Sequence, residues 1–265
     1  MIIGHSEQIK VINNILSSYD KGLFLLIGPE AVGKFHLIKN LTFEYRPLIF
    51  DSLDNILRIN TSEIIQKMLL LSTRNDKQII IVNDAHKFNK EAQNKLLKIF
   101  EEIPNKSLIF LITHKQFKIL STIRSRSQKI KFSLVDNEQI KKFLTNQNYS
   151  VIDVDFALKL FPGQIGKIIR LINNKEKLKI IKNIFLSNSD VFEKFILFFK
   201  IEKDITLEEA IIYFLIYERY NLLKKNEDSI KKIKYLLNLY EDSSFFLNKE
   251  LQFSNILLNI NGKSL

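Results

Sequence analysis

The chain has 265 residues, 46% hydrophobic and 26% charged, the balance of a folded protein of one large or two to three small domains, not of a disordered one. It has no cysteine, so disulfides and thiolate zinc sites are excluded. Forty basic against 29 acidic residues give a net charge of +11. That favours an anionic partner such as nucleic acid or nucleotide, although the lysines are dispersed and no aromatic-plus-basic cluster of the base-stacking kind occurs.

The opening Met1-Ile2-Ile3-Gly4-His5-Ser6-Glu7 lacks the basic region and apolar stretch of a signal peptide. The longest apolar runs, such as Ile211–Tyr217, are too short to span a bilayer, so a cytoplasmic protein with no membrane partner is expected. The run Leu23–Ile27 reads as a strand. It is followed by Gly28-Pro29-Glu30-Ala31-Val32-Gly33-Lys34-Phe35 and a helical stretch over Lys34–Glu44. This is the strand, glycine-rich loop, lysine and helix of the G-x-x-x-x-G-K-[ST] phosphate loop. Gly28, Gly33 and Lys34 are therefore candidate nucleotide-binding residues, with backbone N–H groups and a helix N-terminus cradling phosphate. The hydroxyl position is Phe35, and a phenyl ring cannot supply the hard oxygen that magnesium needs.

Further strands are expected at Leu48–Phe50, Gln78–Val82, Leu108–Thr113 and Lys129–Phe132, with helices at Thr61–Leu71 and Asn89–Glu102 between them. This alternation predicts a mainly parallel sheet covered on both faces, with ligands beyond the strands' carboxyl ends. After the third strand comes Asn83-Asp84-Ala85-His86. An ATPase places two acids here; Asn83 lacks the charge that holds the ion, and Asp84 is one methylene shorter than the usual glutamate. Thr113 ends the next strand and can present a hydroxyl at the same edge. Then come Arg124 and Arg126, read as lying in a short loop, a placement that suits an arginine acting on another subunit's phosphates. His5, His36, His86 and His114 fall singly along the chain, and no metal site is expected among them.

Beyond Phe132 strand signals stop. Short helical stretches are expected at Asp136–Gln147, Asp153–Leu160 and Gly166–Asn174, broken by Pro162-Gly163, and the rest from Lys175 reads as helix. Aromatic residues there, including Phe195, Phe199, Phe214 and Tyr217, fall at helical spacing and are expected to pack against one another and against other chains.

Asp84-Ala85-His86-Lys87-Phe88, with Glu91–Pro104, resembles the signature of bacterial clamp-loader subunits of the AAA+ class, and Thr122-Ile123-Arg124-Ser125-Arg126-Ser127 resembles their Ser-Arg-Cys motif with Ser127 in place of cysteine. Met1–Ile15 resembles the segment near the adenine, and Leu247–Leu258 the last collar helix. The resemblance implies an α/β AAA+ phosphate-loop domain with a parallel sheet (1–133), a small three-helix lid (134–175) and an all-helical collar domain (176–265). It implies a non-hydrolysing, stator-like subunit of the DNA polymerase III clamp loader, part of a DNA-directed DNA polymerase holoenzyme, with Arg126 as an arginine finger in trans. The implied partners are motor and delta-type clamp-loader subunits, the sliding clamp indirectly, and primed DNA. ATP or ADP bound without turnover is the one cofactor left open. The four-cysteine zinc module of many relatives is missing, so no zinc is implied, and Gly166 or Lys167 stands where active relatives carry a phosphate-sensing arginine. An autonomous DNA-dependent AAA+ ATPase, and a pure assembly scaffold with an inert arginine loop, remain as alternatives.

Overall fold

The computed structural model of the protein describes residues 3–51, 76–103 and 106–186. The helix expected over Thr61–Leu71, the turn at Pro104, and the helical stretches expected beyond Leu186, with the collar they would form, lie outside the described residues.

Five strands, β1 (Gly22–Ile27), β2 (Leu48–Phe50), β3 (Gln78–Val82), β4 (Ser107–Thr113) and β5 (Gln128–Lys131), form one sheet in the order β2-β3-β4-β1-β5, every pair parallel. The last strand is shifted by one residue from the expected Lys129–Phe132, and the Phe132 N–H still donates to the Ile27 carbonyl at 2.7 Å. β4 is buried along its whole length, which is why it reads as an unbroken apolar run.

The helices are α1 (Ser6–Ser18), α2 (Lys34–Leu41), α3 (Lys90–Glu101), α4 (Ser121–Arg126), α5 (Asn137–Asn146), α6 (Val151–Leu160), α7 (Ile165–Asn173) and α8 (Lys175–Leu186). α2 stops short of the expected Glu44. Thr42 bonds its hydroxyl back to the Ile38 carbonyl at 2.8 Å, and Phe43–Tyr45 tighten into a 3-10 turn. α3 begins where expected, because the Asn89 side chain accepts the Ala92 N–H at 2.8 Å and caps it.

Strand alternation sends side chains to two cores. Phe24, Leu26, Ile79, Ile81, Phe110 and Ile112 pack with Ile12, Ile15 and Leu16 of α1 and Leu37 and Ile38 of α2. Leu23, Leu25, Ile80, Val82, Ile109 and Leu111 pack on the other face with Leu96, Ile99 and Phe100 of α3 and Ile123 of α4. A sheet covered on both faces by helices is the α/β arrangement that the sequence predicts.

Contacts divide the chain into two units, Met1–Asn146 with Gly163–Lys167, and Gln147–Pro162 with the residues from Ile168 on, of which 168–186 are described. In the first unit Gly163 is stitched on twice: its N–H donates to Asn137 Oδ1 at 2.9 Å and its carbonyl accepts the Val135 N–H at 3.1 Å. In the second, Phe156 and Phe185 meet edge to face, Tyr149 Oη donates to Asn173 Oδ1 at 3.1 Å, and Lys182 pairs with Asp153. No helix among the described residues is long and apolar enough to cross a membrane.

Candidate functional site at the carboxyl edge of the sheet

Parallel register puts the ends of β1 and β4 side by side, Ile27 against Thr113, and the end of β3 beside β4, Val82 against Leu111. The phosphate loop, Asp84 and Thr113 therefore leave the sheet along one edge. Gly28 is required by a close approach: a Cβ there would lie 2.4 Å from the Phe132 carbonyl oxygen. Gly33 is required by conformation, with φ of 102° at the start of α2.

The loop's polar groups are engaged within its own neighbourhood. Lys34 is buried, and its ammonium donates to the Gly28 carbonyl at 2.8 Å and to the Pro29 carbonyl. Burial lowers its pKa to about 8, against the raising effect of Asp84 and Glu30. The Val32 carbonyl lies 3.0 Å from His5 Nε2. The Ala31 carbonyl accepts the Gly166 N–H at 2.8 Å, and Glu30 pairs with Lys167 at 3.0 Å. A Cβ on Gly166 would stand 3.1 Å from that carbonyl oxygen, a tight contact that the loop would have to yield to by a few tenths of an ångström. Phe35 packs against the α1–α2 core, with Lys39 Nζ 5.8 Å from its ring centroid.

At the end of β3, Asn83 is turned away from metal chemistry. Its amide donates to Asp51 Oδ1 at 3.0 Å, and its N–H donates to the Phe50 carbonyl at 2.8 Å. Asp84 adopts a left-handed conformation with φ of 51° and pairs with Lys87 at 2.9 Å. The residues present do not fit a magnesium ion at this loop. The hydroxyl position is a half-buried phenyl packed against the core, and the first-acid position is an amide spent on Asp51.

The structure corrects the reading of the histidines as isolated. His86 and His114 stand ring against ring, centroids 4.2 Å apart at 71°, and His114 Nδ1 lies 3.9 Å from Asp84 Oδ1. The fully buried Thr113 hydroxyl lies 3.2 Å from His86 Nδ1 and accepts the Lys115 N–H at 3.0 Å, so it supports an imidazole and a turn. Burial, and the neighbouring His114 and lysine charges, push the His86 pKa down to about 4. His114 is lowered as well, by burial foremost, against the raising effect of Glu30 and Asp84.

Gly28, Gly33, Lys34, Asp84 and Thr113 thus share one edge. Arg126 is held elsewhere, and the arginines are on a short helix rather than in a loop. Leu120 starts α4 by accepting the Ile123 and Arg124 N–H groups at 3.1 and 3.0 Å, and the buried Ile123 anchors it. Arg126 is 43% exposed, pairs with Glu101 at 2.9 Å and donates to the Thr122 carbonyl at 3.1 Å. Gln93 has no motif to mark it, yet it supports this region. Its amide donates to the Phe88 and Lys118 carbonyls, both at 2.9 Å, and its oxygen accepts the Leu120 N–H at 2.8 Å.

Residues 47–136, the stretch that carries β2 to β5 and the arginine helix, match the family model described as "DNA polymerase III, delta subunit". The chain is also similar to curated delta-prime subunits. Its similarity to the delta-prime subunit of DNA polymerase III from Buchnera aphidicola subsp. Schizaphis graminum is 33% identity over 100 residues, covering 38% of this chain and 29% of that relative. The delta-prime subunit from Buchnera aphidicola subsp. Acyrthosiphon pisum is 29% identical over 115 residues, covering 42% and 34%. This chain thus spans about a third of the length of these curated relatives. In fold it is similar to a DNA polymerase III gamma subunit-related protein from Thermotoga maritima, with a TM-score of 0.52 at 18% identity, covering 95% of this chain and 97% of that one. Among the described residues, the parallel α/β sheet expected from the sequence is the fold observed. Ser127 closes the arginine helix. It is buried, and its hydroxyl donates to the Ile123 carbonyl at 2.7 Å, one turn back in the same helix.

Proposed function

We propose that this chain is a non-hydrolysing, stator-like subunit of a DNA polymerase III clamp loader, working in the cytoplasm. There it would assemble with motor and delta-type subunits and help place a sliding clamp on primed DNA. The similarity of residues 47–136 to the delta family supports the assembly. The observation that carries the non-hydrolysing role is the place of Phe35, half-buried against the α1–α2 core where a catalytic loop presents a hydroxyl. Asn83 removes the first acid of the same ion site, and Lys34 spends its ammonium on the loop's own carbonyls. A nucleotide held here would sit on backbone N–H groups and compete with Gly28 and Pro29 for Lys34.

Arg126 carries the catalytic contribution in this reading, and it does so on a neighbour. Its bond to Glu101 is an exposed ion pair worth under about 1 kcal/mol, so the guanidinium can exchange that carboxylate for a γ-phosphate at a subunit boundary. There it would stabilise the charge that builds on the transferring phosphoryl group.

Steady-state ATPase measurement on the purified chain tests the reading. Turnover well below the ~1 per second floor of ordinary enzymes is expected, and Phe35→Thr should not restore it because Asn83 remains. Turnover at an ordinary rate that is lost in Lys34→Ala would replace the stator by an autonomous ATPase.

A further inference from the structure

Asp84, His86 and His114 each offer one ligand atom, and the three atoms lie within 4.8 Å of one another. We propose that these three side chains form a binding site for a divalent transition metal, zinc being the best fit, that clamps the carboxyl ends of β3 and β4. Two imidazoles and one carboxylate are a borderline-soft donor set, which disfavours magnesium and calcium and suits zinc with a fourth position left for water. This site needs no thiolate.

The local structure is built for ligation in two respects. Asp84 and His86 come from one tight turn, held by the Lys87 N–H bond to the Asp84 carbonyl at 2.8 Å, while His114 comes directly after the end of β4. The Thr113 hydroxyl fixes the His86 ring, as the outer-shell partner of a metal-bound histidine does. Lys87 is the resident counter-charge of Asp84. Its side chain is 39% exposed, so the ammonium can swing into solvent when a cation takes its place.

Titration of the chelator-stripped full chain with Co²⁺, followed by displacement with Zn²⁺ in a calorimeter, tests the proposal. One equivalent of Co²⁺ should give the intense visible bands of a four-coordinate site, Zn²⁺ should bleach them, and zinc should raise the thermal midpoint. His86→Gln and His114→Gln should each abolish the bands and cost more than the ~10–100-fold in affinity that loss of an outer-shell residue costs. Thr113→Val should cost an amount within that range. His36→Gln is the control and should bind like the wild type. Near-UV circular dichroism checks each variant's fold, and the isosteric Asp84→Asn carries the test should a histidine variant fail to fold. Absence of stoichiometric binding in the wild type, or undiminished binding in His86→Gln/His114→Gln, overturns the site.

Discussion

The phosphate loop and the arginine helix α4 are both motif-bearing segments of the same α/β domain, and they keep their key cations in opposite states. Around the loop, Lys34 is buried against the Gly28 and Pro29 carbonyls, Glu30 is paired with Lys167, and the Ala31 carbonyl is taken by Gly166. On α4, Arg126 is exposed and held by a surface carboxylate and one backbone carbonyl of its own helix. A buried ammonium bonded to backbone carbonyls is costly to withdraw, whereas an exposed ion pair costs almost nothing to exchange. A motif can keep its backbone shape while its chemistry is consumed internally. The segment that stays available is the one whose polar head was never buried.

The largest effect that can break this contrast is on α4. In a reconstituted clamp loader, Arg126→Ala should lower the ATPase of the one site it reaches by ~10³-fold, with a smaller net loss in clamp loading because other sites share the work. Assembly, followed on a sizing column, should be unchanged. An unaltered ATPase in a correctly assembled complex would leave the arginine helix as surface.

Next is the loop's backbone. Gly28→Ala drives a methyl group to 2.4 Å from the Phe132 carbonyl, and backbone has to move to admit it. A loss of about 2–3 kcal/mol in denaturant unfolding is expected, the range of an overpacked core. A neutral result would mean that β1 and the turn after β5 do not approach as described.

Lys34 gives a pH test of comparable size. Its folded-state pKa lies near 8, below the ordinary 10.5, so the unfolded chain binds the proton more tightly. The charged form therefore costs stability below pH 8, and that cost disappears as pH rises from about 8 to 10.5. Measured against Lys34→Met, the wild type should gain up to ~3 kcal/mol over that window. A flat difference would show that Lys34 is not buried against its own loop.

The smallest effect sharpens the other side of the comparison. Glu101→Gln should change stability by less than about 1 kcal/mol, since the Arg126–Glu101 pair is exposed. A larger loss would mean that the arginine is locked in place rather than poised.

Much of this was legible before any coordinates. The parallel sheet followed from apolar runs of strand length alternating with helical periodicity, since those periods dictate which faces must be buried. Gly28, Gly33 and Lys34 were legible because strand, loop and helix are contiguous in sequence, and Phe35 and Asn83 marked the lost magnesium site by side-chain chemistry alone. The helix around Arg126 read as a loop because six residues are too few for periodicity to register. Tertiary structure alone decided what each polar group meets. Lys34 on its own carbonyls, Lys167 on Glu30, Glu101 on Arg126, and Asp84 with His86 and His114 are all contacts in space. Residues 86 and 114 are 28 positions apart, and only the parallel register of β3 and β4 brings their turns together. Local pattern specifies which groups a chain owns, and long-range strand pairing decides which of them can act as one site.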